Sequence, residues 1–170
     1  SLVCAGFAQV LAEASGKVAP EEAYVTALVH DIGKVVLLEC SPAHMDLVLR
    51  DQMGGVTALE AERRHFGITH DRAGRRLAAR WKLPTELQNA IGDHHDIDPL
   101  HPPRDLDPLL GVIVYANAIS RFTCEPEQHG QEQALTRATA RALGIRPARM
   151  EEILLRAADE ISDLAACIGY

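Results

Sequence analysis

His70-Asp71-Arg72-Ala73-Gly74-Arg75-Arg76-Leu77-Ala78-Ala79-Arg80-Trp81 is the stretch from which the rest of the chain can be read. Positions 70, 73, 74, 77, 78 and 81 carry His, Ala, Gly, Leu, Ala and Trp. These are the positions that a 3.6-residue helix turns toward a core. Asp71, Arg72, Arg75, Arg76 and Arg80 fall on the other side, which reads as a solvated face with acidic partners nearby. Thr69 stands where a cap is expected. The spacing therefore predicts a helix over 70–81 whose buried stripe begins with a histidine and ends with Trp81.

Working outward, the same grammar repeats. Pro84 opens the next helix, to about His94, with Leu83, Leu87, Ile91 and His94 on one face. Upstream, Thr57 caps a helix to Phe66 that Gly67 closes, and Ala43 to Gln52 is amphipathic and stops at Gly54-Gly55. Ser1 to Ser15 is closed by Gly16. Pro20 starts a helix with Glu21 and Glu22 in its first turn, where the helix dipole favours them. That helix runs to about Asp31 and is expected to break at Gly33, with a short apolar piece, Lys34 to Cys40, after it. Downstream, Asp96 to Pro108 holds four prolines and four aspartates and reads as a loop. Asp107-Pro108 launches an apolar helix to about Phe122, and helices over Glu132 to Leu143 and Pro147 to Ile168 follow, separated by Gly144. No strand-like alternation persists, so the fold class is all-α: a compact helical bundle.

Histidines sit on the inward faces. Ala23, Ala27 and His30 align on the Pro20 helix; His70 and His94 lie on the stripes described above. Burying an ionisable side chain is costly unless it is paired or metal-bound. One inward histidine is ordinary, but three helices each delivering one point to a shared polar centre. His30-Asp31 and His94-His95 are sequence neighbours, which diverge by about 100° on a helix. Both members of a pair reach one centre only near a helix end, where each pair is expected. Histidine with aspartate suits Fe, Mn or Zn better than Ca or Mg. His44, His65, His101 and His129 lie in polar or loop contexts and read as surface.

Composition narrows the function classes. With 47% hydrophobic and 24% charged residues over 170 positions, the chain is neither disordered nor fibrous. Seventeen basic against 24 acidic residues, net −7, argue against nonspecific nucleic-acid binding or an anionic membrane surface. The longest apolar run, Leu109 to Ile119, is 11 residues, well short of the ~20 that span a bilayer. Cys4, Cys40, Cys124 and Cys167 form no C-x-x-C pair, which fits a reducing cytosol. With no leader evident, a cytoplasmic location is expected.

Val29-His30-Asp31-Ile32-Gly33-Lys34 reads as the HDIGK signature of the HD superfamily of metal-dependent phosphohydrolases. The ordered series that follows sharpens the likeness: Glu60-Ala61-Glu62, His65-Phe66-Gly67-Ile68-Thr69-His70, Gly74, Leu77, Trp81-Lys82-Leu83-Pro84, Ile91 and His94-His95. Together they resemble an HDOD domain, the HD-related output domain of bacterial signalling proteins, over about Ser1 to Phe122. The resemblance implies a single HDOD-like domain over 1–170, with a motif-bearing core at about 1–122 and C-terminal helices at about 132–168, belonging to a longer signalling protein. It implies metal ligands at His30, Asp31, His70, His94 and His95, with Asp31 and Lys34 as the pair that assists proton transfer in related HD-GYP phosphodiesterases. The family pattern also calls for a histidine immediately before Ser1 and an aspartate where Asn117 stands, and no GYP motif follows His94-His95. The expected function is a regulatory output domain with a partial or vestigial metal centre; the alternative is a phosphodiesterase acting on a cyclic dinucleotide or nucleotide. The expected partner is a signalling protein or small-molecule signal, and self-association is compatible with the apolar residues of the last helix.

Overall fold

Prolines and small polar residues open the helices, and glycines close several of them. The computed structural model describes residues 1–124, 132–146, 148–150 and 152–157. Among these the elements are helices: α1 (Leu2–Ser15), α2 (Pro20–Val29), α3 (Ile32–Cys40), α4 (Pro42–Met53), α5 (Ala58–Phe66), α6 (His70–Arg80), α7 (Thr85–Asp93), α8 (Pro108–Cys124) and α9 (Glu132–Leu143). No strand occurs among the described residues. Residues 148–150 and 152–157 are also helical. The remainder of the helix expected over Pro147 to Ile168 lies outside the described residues, as does His129.

Local chemistry accounts for the boundaries. Thr57 Oγ1 accepts from the Glu60 amide at 3.3 Å while Glu60 reaches back to the Thr57 amide, a reciprocal capping box at the start of α5. Ser41 accepts from the His44 amide with Pro42 opening α4. Gly67 closes α5 at φ 70, a left-handed conformation that glycine adopts without steric cost.

Two compact units form. One comprises Ser1–Leu28 together with the chain from His95 onward; the other is Val29–His94. In the first, α1 packs on α8. Leu109, Leu110, Val112, Ile113, Val114, Tyr115 and Ile119 of α8 are all buried, so this helix is apolar almost all round, as a helix enclosed by others must be. Each such side chain taken from water contributes about 1.5–3 kcal/mol. The Tyr115 hydroxyl donates to the Pro99 carbonyl at 3.1 Å, which ties the proline-rich loop down.

In the second unit α3 packs on α6, α6 on α7, and α4 on α5. The α3–α6 crossing corrects the expectation at Gly33. The chain bends at His30-Asp31 instead, and Gly33 lies inside α3. A Cβ at Gly33 would run into the His70 carbonyl and come within 2.7 Å of the Gly74 amide. Gly33 is thus a place where two backbones touch. Two further expectations are overturned. Trp81 is 58% exposed because α6 ends at Arg80 and the chain turns away through Lys82 at φ 56. Asp71, placed on the solvated face by periodicity, is 3% exposed because it sits in the first turn of α6, where helix starts are enclosed by their neighbours.

A candidate metal centre

Helix ends of the Val29–His94 unit converge on one carboxylate. Asp31 is the N-cap residue of α3, His70 opens α6, and His94 is the C-cap residue of α7. His30 occupies the turn before Asp31. Asp31 Oδ1 lies 3.1 Å from His70 Nε2, 3.6 Å from His30 Nε2 and 3.7 Å from His94 Nε2. The His30 and His94 rings stand edge to face with centroids 5.0 Å apart, and those of His70 and His94 are 5.7 Å apart. All three imidazoles are at most 3% exposed. Lys34, one turn into α3 and exposed, places Nζ 2.6 Å from the other oxygen, Oδ2.

The tautomers follow from the outer contacts. His94 Nδ1 lies 2.8 Å from the Ile91 carbonyl, which can only accept, so Nδ1 carries the proton. His70 Nδ1 lies 2.8 and 2.9 Å from the two oxygens of Glu62, so it also donates. In the neutral rings, Nε2 therefore presents a lone pair toward Asp31 Oδ1. Oxygen and nitrogen acceptors facing one another repel unless a proton or a cation lies between them. Orientation of a ligating histidine through its outer nitrogen is the arrangement that metal sites use.

The charge states show the same need. Burial opposes ionisation of Asp31, but the facing rings of His70 and His94, with His30 and Lys34 nearby, outweigh it and hold the carboxyl far below its usual range. Burial likewise opposes a charged His70, yet Asp31 and Glu62 prevail and push it up to about 9. Without a metal, a proton on His70 fills the role of the cation.

One ligand atom each from Asp31, His70, His94 and the adjoining His95 lie within 4.8 Å of one another. Ligands on one ion with bonds of about 2.1 Å are separated by at most about 4.2 Å, so a contraction of a few tenths of an ångström closes the set. The donor set, imidazole nitrogens with one carboxylate oxygen, fits a divalent transition metal. His30 is close to Asp31 but outside this group. Asn117 lies on α8 in the other unit, half-buried, with its carbonyl accepting from Ser120 Oγ at 2.8 Å.

Glu62 is the residue whose role sequence reasoning missed. It is 2% exposed on α5. The available signal was an acid on the same helical face as Ala58 and Phe66, four residues to either side. Other candidates are unremarkable in position. Arg72 and Arg75 both reach Asp93, at 3.3 and 2.6 Å, and Arg75 also donates to Asn89. These contacts fit the expectation of acidic partners. His44 and His101 are exposed, while half-buried His65 meets Asp51 at 3.0 Å.

The fold and the His/Asp group define an all-α domain that carries a candidate metal centre. The chain belongs to the HDOD domain family, whose profile matches residues 1–97. A protein of Treponema pallidum (strain Nichols) described only as uncharacterized is 31% identical over 126 residues, 68% of this chain and 23% of that protein. Among solved structures, an HDOD domain protein of unknown function from Geobacter sulfurreducens superposes with a TM-score of 0.75 at 23% identity, covering 98% of this chain and 59% of the other. A protein of Shewanella amazonensis SB2B titled "Putative phosphohydrolase" gives 0.69 at 21% identity, covering 91% and 56%. At these identities the two structures speak for the fold. The chain spans less than two thirds of each of these relatives.

Proposed function

We propose that this chain is a regulatory output domain of a bacterial signalling protein, acting in the cytoplasm, and that it holds one divalent transition metal (Fe, Mn or Zn). The ligands are Asp31, His70, His94 and His95. The observation that supports the reading best is the convergence of Nε2 atoms on Asp31 Oδ1, with the outer nitrogens of His70 and His94 occupied by Glu62 and the Ile91 carbonyl. A centre in decay would be expected to lose such supporting bonds. In this reading the metal holds α3, α6 and α7 in register, and the domain presents that framework to a signalling protein or a small-molecule signal. Of the wider superfamily's ligand set, His30 and Asp31 are present and Asn117 stands in place of a carboxylate, which is why regulation is favoured over turnover. An amide oxygen is neutral and a weaker ligand than a carboxylate.

The test is elemental analysis of purified protein beside a His70→Ala, His94→Ala double variant. Metal near one equivalent in the wild type and its loss in the variant support the reading; equal content in both sinks it.

Phosphodiester hydrolysis is the second reading, favoured by one contact. Lys34 Nζ is exposed and 2.6 Å from Asp31 Oδ2, placed to pass a proton or offset charge on a phosphoryl oxygen. A bound metal would supply hydroxide by lowering the pKa of a coordinated water. Turnover of bis(p-nitrophenyl) phosphate by Mn- or Fe-loaded protein, lost in Lys34→Ala, is the outcome that would promote it over the first reading.

A further inference from the structure

We infer that Glu62 is a positioning residue: it decides which nitrogen of His70 carries the proton, and so whether His70 can act as a ligand. The inference rests on the metal-binding reading above. His70 stands between two carboxylates, with Nε2 3.1 Å from Asp31 and Nδ1 2.8 Å from Glu62. A neutral imidazole has one proton, and both carboxylates attract it. If Asp31 holds it, Nε2 becomes N–H and is closed to a metal. Glu62 holds it on Nδ1 with both oxygens, at 2.8 and 2.9 Å, and thereby keeps Nε2 open toward Asp31.

A second contact separates this role from mere packing. Thr69 is the N-cap residue of α6 but makes no side-chain capping bond. The first amide of α6, that of His70, is one an N-cap hydroxyl does not serve; it donates to Glu62 Oε2 at 2.7 Å. The same carboxylate thus meets both the backbone amide and the ring of His70, and the amide bond locks it against the ring's edge. The position of Glu62 is itself set away from the centre. Helix α5 packs on α4, and Asp51 of α4 binds Arg64 at 2.7 Å and His65 at 3.0 Å. An arm that carries no ligand thus governs a ligand.

The probe is zinc, measured by competition with a chromophoric chelator, on the intact chain and on Glu62→Gln. The amide can keep the bond to the His70 backbone but lacks the charge that retains the ring proton. Zinc affinity is expected to fall by about 10- to 100-fold, the usual cost of losing such a partner. In parallel, ¹⁵N spectra of the His70 ring, recorded without metal at a pH where the ring is neutral, are expected to show the proton on Nδ1 in the wild type and displaced toward Nε2 in Glu62→Gln. Equal zinc affinity in both proteins would overturn the inference, and so would a wild-type ring protonated on Nε2. If the variant fails to fold, the wild-type spectrum alone decides. If the wild type binds no zinc yet carries the proton on Nδ1, the metal reading falls while the positioning of the ring stands.

Discussion

The two compact units bury different kinds of polar group. Among the described residues, the buried polar side chains of Ser1–Leu28 and the chain after His94 are hydroxyls: Thr26, Ser120 and Thr139. Each bonds a carbonyl of its own helix, to Glu22, Asn117 and Leu135 respectively. The Val29–His94 unit buries one hydroxyl, Thr69, but also the ionisable His30, Glu62, His70, Asp71 and His94, and the contacts of His70 with Asp31 and Glu62 run from one helix to another. A hydroxyl that satisfies itself locally leaves its helix free to pack by shape alone. An ionisable group satisfied by another helix binds the two together and makes stability depend on pH and cations. One unit is built as a core, the other as a site.

The comparison breaks most sharply at Gly33. Gly33→Ala drives a methyl into the backbone of α6 and is expected to cost about 3 kcal/mol or more, read as a fall in the urea midpoint. A smaller deletion in the apolar unit, Ile113→Val, is expected to cost about 0.5–1.5 kcal/mol and leave metal content unchanged. The His70→Ala, His94→Ala pair is expected to reverse that pattern by removing metal.

A pH titration sharpens the contrast. His70 is raised from 6.5 to about 9 by its carboxylate neighbours. In metal-free protein the stability it contributes is fully present below pH 6.5 and is lost as pH rises through about 9. The same proton must leave when a metal binds. Zinc affinity measured by chelator competition is therefore expected to rise about tenfold per pH unit between those values. A pH-independent affinity across this window would exclude proton displacement at His70. An effect as small as that of Ile113→Val is expected at Thr139→Val in the apolar unit, about 1 kcal/mol in unfolding free energy with no dependence on pH or metal.

Much of the fold was legible because helices advertise their ends. Gly16, Thr57, Gly67 and Pro108 act where caps and starts are expected, for local reasons that need no knowledge of neighbours. The inward direction of His30, His70 and His94 was legible from periodicity for the same reason. What periodicity could not carry was anything set by a second helix. Gly33 reads as a break until α6 is laid against it. Glu62 reads as one more acid until α5 turns it toward His70. Trp81 is apolar and in phase, yet α6 ends one residue before it and the left-handed Lys82 follows at once, so the stripe stops short of it.

The backbone contact at Gly33 also acts as a gauge. Asp31 lies two residues before it in the chain, and His70 is the residue whose carbonyl it abuts. The span between these two groups is therefore set by main chain on main chain, which yields far less than a side-chain rotamer. An ion too large for that span cannot be met by reaching further; it would have to prise two helices apart. On the proposed metal reading, selection by ionic radius would rest on a position that bears no donor atom of its own.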